Sequence, residues 1–161
     1  MYKFQPKFYL KLIFLISLIS LISAYFIEFI LGHQPCNLCL IERIPYGISM
    51  ILIIIISIYH KNEKFFVLLL VITFIFSLAI SIYHFGIEKG FFEESAICTI
   101  KDFSETLTKE DLLKQLNEKT VSCRDVTFRI FGLSLTGINI IISLFIIIVL
   151  LKSYNLYEKN R

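Results

Sequence analysis

Four apolar runs of about twenty residues each dominate this chain. They cover 12–31, 40–59, 65–85 and 130–151, and only Glu28, Glu42 and Arg43 bring charge into them near their ends. A helix rises 1.5 Å per residue, so about twenty residues cross roughly 30 Å of hydrocarbon. Ile and Val are frequent in these runs, which in water would favour strands. In lipid each backbone N–H must find its partner within its own segment, so a run this long reads as helix. A mean hydropathy of +0.76 over 161 residues agrees with a membrane protein. The expectation is an all-α membrane protein: one antiparallel four-helix transmembrane bundle over 1–161, in the lipid bilayer, with a long loop between helices 3 and 4. The first run is longer than a signal-peptide core and no small-x-small cleavage site follows it, so it is expected to remain as a span. Net charge is only +3 and no basic stripe with interleaved aromatics appears, so nucleic acid is not an expected partner.

Connections and charges orient the bundle. Four crossings put both termini on one face, with connections 32–39 and 86–129 on the other. Eight of the sixteen Lys and Arg residues (Lys3, Lys7, Lys11, Lys61, Lys64, Lys152, Lys159 and Arg161) lie on the terminal face, in short tails and one tight turn. Positive charge beside helix ends marks the cytoplasmic side. Both termini are therefore expected in the cytoplasm, with 32–39 and 86–129 on the outer face, which for a bacterial inner membrane is the periplasm. Within the second connection, Thr108-Lys109-Glu110-Asp111 reads as a capping box before a short helix carrying Leu112, Leu113 and Leu116.

This orientation puts all four cysteines outside, where disulfides persist. Cys36 and Cys39 form a C-x-x-C at the expected start of the second helix. There, free N–H groups and the helix dipole favour a thiolate, the species that attacks and leaves in disulfide exchange. Cys98 and Cys123 bracket the long connection. A bridge between them would restrain that loop by roughly 3 kcal/mol in the chain-entropy treatment. It could be a permanent clamp or a bridge that a partner opens. A zinc site is disfavoured, since no second C-x-x-C and no pair of histidines at ligand spacing is present, and no metal is expected.

Arg43 follows Cys39 by one helical turn on the same face. The uninterrupted apolar part of the second helix starts only at Ile44, which draws Arg43 into the interfacial zone. A guanidinium there snorkels, pairs or binds something. Thiol and cation thus share the depth of a lipid-soluble quinone ring. The alternative is an anchor paired with Glu42. Pro45 is expected in the first turn of the helix, where proline is tolerated. His84 either meets a quinone carbonyl or caps the membrane edge, and His33 has the same two readings. Asn139 is expected to hydrogen-bond between helices.

Taken together, these motifs resemble the DsbB family of bacterial disulfide-bond formation proteins. The resemblance rests on four spans, Cys36-x-x-Cys39-Leu-Ile-Glu42-Arg43 opening the second helix, and a cysteine pair in the second outer loop. Tyr83-His84-x-Gly86-x-Glu88, and Phe131-Gly132-Leu133-Ser134-Leu135 with Asn139, add to it. It implies a quinone-dependent protein-disulfide oxidoreductase, a chain of electron transport in periplasmic disulfide bond formation. A reduced DsbA-like thioredoxin-fold protein would attack a Cys98–Cys123 bridge, with Cys98 in the mixed disulfide. Cys36–Cys39 would receive the electrons, Cys39 facing ubiquinone or menaquinone from the membrane pool. Arg43, and by one motif His84, would hold the quinone. The family often carries Trp around the second outer loop; this chain has none, and Phe91, Phe92 and Phe128 stand at comparable places. Two other readings compete. A vitamin K epoxide reductase-like enzyme also uses four helices and two cysteine pairs, but its active C-x-x-C lies late in the chain. A four-helix scaffold or chaperone would hold its disulfides as permanent structure.

Overall fold

The computed structural model describes residues 6–59, 63–94, 98, 122–124, 128–130 and 132–159. Four long helices make up most of it: α1 (Pro6–Phe29), α2 (Asn37–Ile58), α3 (Glu63–Glu88) and α4 (Leu135–Lys159). All four are long and apolar enough to cross a membrane. Helix α1 packs against α2 and α4, and α3 packs against the same two, so the four close into a ring. The outward faces carry bare apolar side chains such as Ile22, Ile51, Ile72 and Ile148, each more than half exposed, as lipid-facing positions are.

Where the helices begin departs from the sequence reading in two instructive ways. Helix α2 starts at Asn37, so Pro45 is not in its first turn but inside the helix. A proline there cannot donate to the carbonyl of Ile41, and transmembrane helices tolerate such a loss where neighbours cover the freed group. Helix α4 starts at Leu135 rather than at residue 130. The preceding residues form a short antiparallel hairpin, β1 (Arg129–Ile130) with β2 (Leu133–Ser134), Arg129 opposite Ser134. Its turn ends on Gly132 at φ +84°, a left-handed backbone that favours glycine. Ser134 then caps α4, its Oγ accepting the Gly137 N–H at 3.2 Å. The expected short helix at 108–116 lies outside the described residues, as does most of 86–129 beyond residue 94.

Two clusters fill the interior. The larger joins all four helices through Ile13, Tyr46, Ile53, Leu70, Phe74, Ile146 and Leu150. Hydroxyl pairs stitch it together: Ser17 to Ser49 at 2.9 Å and Ser77 to Ser143 at 3.3 Å. Small hydroxylated residues let helix backbones approach in lipid. The second cluster lies at the other end of the bundle and contains Cys36, Leu38, Ile87, Cys98 and Cys123.

Candidate redox site

Helix α2 begins where the chain turns in from an extended Cys36, its N-cap residue. Cys36 Sγ accepts the backbone N–H of Cys39 at 3.4 Å. One turn of helix brings the two sulfurs to 2.8 Å, and both are unbridged. Cys98 and Cys123 are bridged, with their Cα atoms 5.7 Å apart. That bridge is buried and packs in the same cluster as Cys36, so the two pairs sit together although the sequence separates them widely.

His84, on α3, lies behind Cys36. It is 1% exposed, so it caps no membrane edge. Its Nε2 is 3.5 Å from Cys36 Sγ and its Nδ1 is 3.0 Å from Glu42 Oε1. A carboxylate oxygen accepts, so Nδ1 carries a proton and Nε2 faces the thiol. Asn139 on α4 fixes the carboxylate from the other side, donating to Glu42 Oε2 at 3.0 Å and to Ser81 Oγ at 2.7 Å. The Tyr46 hydroxyl donates to Asn139 Oδ1, which sets the orientation of that amide. Thr136 Oγ1 lies 3.3 Å from His84 Nδ1 and donates to Glu88 at 2.6 Å. Three helices thus hold one chain of groups, Cys36–His84–Glu42–Asn139.

The thiol of Cys36, just outside the α2 span, is lowered to about 5. The hydrogen bond from the Cys39 thiol is the largest cause. Burial opposes it, and the hydrogen bond and charge of His84 and the Cys39 backbone N–H reinforce it.

Arg43 is not paired with Glu42. Its Nη1 donates to Glu28 on α1, and its guanidinium lies over the Tyr25 ring, 5.0 Å from the centroid. Cys39 and Arg43 line one cavity of about 290 Å³ between α1, α2 and α4. Its exposed walls are mostly apolar (Ile19, Leu21, Ile27, Leu135 and Ile142), with Glu42, Tyr46, Asn139 and His33 among the polar members. His33 also packs on Phe128, ring centroids 5.1 Å apart. His84 is not among the cavity residues. An apolar slot of this size with a few converging polar groups suits a flat ring with polar atoms at its edge.

The profile of the DsbB family, disulfide bond formation protein DsbB, matches residues 6–152. The chain belongs to the DsbB family. Two relatives agree in length and span. The uncharacterised protein RP370 of Rickettsia prowazekii (strain Madrid E) is 31% identical over 137 residues, covering 84% of this chain and 80% of that protein. The protein named disulfide bond formation protein B of Xylella fastidiosa (strain Temecula1) is 26% identical over 118 residues, covering 70% and 68%. No solved structure matches the chain. DsbB membership with four spans makes this a multi-pass membrane protein of disulfide bond formation.

The sequence had marked all four cysteines, Arg43 and His84 as site residues. It had not marked Glu28, nor the roles of Glu42, Ser81, Thr136 and Tyr46. A signal was present, because each is a polar group inside or beside an apolar span, where such groups turn inward and find partners.

Proposed function

We propose that this DsbB-family protein reoxidises a periplasmic DsbA-like thioredoxin-fold protein and delivers the electrons to membrane quinone. One observation carries the reading. The C-x-x-C shares one buried cluster with the Cys98–Cys123 bridge, Cys36 among its members, and opens onto the Arg43 cavity through Cys39. A pair so placed can take electrons from one side and release them on the other.

The exchange balances as follows. A partner thiolate attacks Cys98, forming a mixed disulfide and releasing Cys123 as a thiolate. The second partner thiol attacks that mixed disulfide, and the partner departs oxidised. The Cys98–Cys123 dithiol then reduces a Cys36–Cys39 bridge and is itself bridged again.

The chain's own groups then favour loss of two electrons and two protons from the inner pair. His84 Nε2 receives the proton of Cys36, and Glu42 keeps the imidazole in the orientation this needs. Arg43, held by Glu28 and Tyr25, supplies a fixed positive charge at the cavity wall beside Cys39. A quinone bound in that cavity, ubiquinone or menaquinone, would supply the two-electron, two-proton acceptor. On this reading the helix ends at Cys36 and Glu88 face the periplasm and both termini face the cytoplasm.

The burial of Cys98 and Cys123, 6% and 2% exposed, favours a second reading in which that bridge is permanent and the protein is a scaffold or chaperone. One assay separates the two. Purified protein in detergent is given a reduced DsbA-like partner and a soluble quinone, and quinone absorbance is followed. Consumption that vanishes with Cys39→Ser and with Cys98→Ser supports the oxidase. A Cys98–Cys123 bridge that resists the reduced partner, with no consumption for either quinone type, overturns it.

A further inference from the structure

We propose that the reduced inner pair is also a binding site for one thiophilic divalent cation of the zinc and cadmium kind, held by Cys36 Sγ, Cys39 Sγ and His84 Nε2. The reading does not depend on quinone chemistry; it needs only the dithiol. These three donor atoms lie within 4.8 Å of one another. Zinc–sulfur bonds of about 2.3 Å and zinc–nitrogen bonds of about 2.0–2.1 Å, at a tetrahedral angle, set sulfur and nitrogen about 3.5 Å apart. Cys36 Sγ and His84 Nε2 are separated by 3.5 Å. The two sulfurs, at 2.8 Å, must open by about 1 Å to share a tetrahedral ion. Cys39 has room to do so, because it is only half-buried and borders the cavity.

The surroundings have the character of a metal site's outer shell. Metal-bound histidines almost always give their second ring N–H to a carboxylate, a backbone carbonyl or water. His84 Nδ1 gives its own to the Glu42 carboxylate, and Asn139 braces the carboxylate in turn. Two thiolates and a divalent cation sum to zero charge, which suits a site this buried better than either part alone. Of the three ligands Cys39 borders the cavity, which offers the entry path. Binding forms two metal–sulfur bonds and one metal–nitrogen bond and sends two protons to solvent, the one from the Cys39 thiol and the one Cys36 has passed to His84 Nε2, with no electron transferred. Bridging of Cys36 to Cys39 removes two of the three ligands, so cation and disulfide exclude each other. The sequence concealed this site, since its third donor comes from 48 residues beyond Cys36.

Cadmium is the probe, through the ultraviolet thiolate-to-cadmium charge-transfer band of the full-length protein in detergent, reduced with a phosphine and desalted without oxygen. The expected result is one cadmium per reduced chain, displaced by zinc, and none once Cys36–Cys39 is bridged. Replacing both outer cysteines (Cys98→Ser with Cys123→Ser) leaves the band in place, whereas Cys36→Ser or Cys39→Ser removes tight binding. His84→Ala weakens it at least about tenfold, and Glu42→Gln, the gentler change, about ten- to a hundredfold. Helical circular dichroism confirms that each variant is folded. The proposal is overturned if the reduced wild type shows no band. It is equally overturned if the band disappears with the outer cysteines, or if folded His84→Ala and Glu42→Gln both keep the wild-type affinity.

Discussion

Glu42→Gln changes almost no volume and should still disarm Cys36. Asn139 cannot turn its amide, because its Oδ1 accepts from Tyr46, so its Nδ2 keeps facing residue 42. The new glutamine must therefore direct its oxygen at Asn139 and its NH₂ at His84 Nδ1. That nitrogen then has to accept instead of donate. Its proton moves to Nε2, and the ring can no longer take the proton of Cys36. The thiolate keeps at most a hydrogen bond from a neutral imidazole where it had one from an imidazolium, a difference of about 1–2 kcal/mol. At 1.36 kcal/mol per pH unit this is about one unit. Cys36 is depressed to about 5, so its thiolate is present above that pH and lost as pH falls through it. An ordinary cysteine loses its thiolate near 8.5. Alkylation by a small haloacetamide, read at Cys36 by peptide mass spectrometry across pH, should show a wild-type midpoint near 5 and a variant midpoint about one unit higher. The same variant should slow thiol exchange at Cys36 by about a hundredfold, the lower range for a lost general base. A folded Glu42→Gln protein with an unmoved midpoint would refute the His84–Glu42 coupling.

Three further outcomes are expected. Arg43→Met strands the half-buried Glu28 and should cost about 2 kcal/mol, between exposed and buried pairs; adding Glu28→Gln should restore stability to detergent-monitored unfolding without restoring quinone reduction. Asn139→Leu removes donors to Glu42 and Ser81 and the acceptor of Tyr46, and at about 0.6 kcal/mol per bond in a membrane protein should cost about 2 kcal/mol in the same unfolding assay. Gly132→Ala puts a Cβ on a backbone at φ +84° and should cost about 1 kcal/mol, seen as faster amide exchange in the 129–134 hairpin.

Length and hydropathy made four helices legible because lipid leaves a twenty-residue apolar run no other backbone solution. Helical spacing made the Cys39–Arg43 face legible for the same local reason, and both residues do border one cavity. What was not legible is how each helix is rotated against its neighbours. These spans are apolar all round, so no stripe marks the inward face, and lipid rewards every rotation alike. Polar partners decide it instead: Glu42 turns to His84 and Asn139, leaving Arg43 to Glu28, so the Arg43–Glu42 anchor that the sequence left open as an alternative does not form. Of the two places the sequence allows His84, the membrane edge follows from its position at the end of an apolar run, yet α3 continues to Glu88 and carries it inside. The start of α4 was misplaced because Ile130, Phe131 and Leu133 look like helix to hydropathy, while Gly132 and the Ser134 cap set the boundary.

The sulfur of Cys36 does two jobs at one place. On the proposed relay it is one of the two thiols that become a disulfide, and it is the acceptor of the Cys39 N–H in the first turn of α2. A negatively charged thiolate grips that amide far better than a neutral disulfide sulfur does. Each oxidation of the inner pair therefore loosens the lip of α2, and each reduction tightens it. Because α2 also carries Arg43 and Glu42, this end of the bundle would on the proposed relay breathe in step with turnover, slack when the inner pair is ready to receive electrons and taut when it holds them.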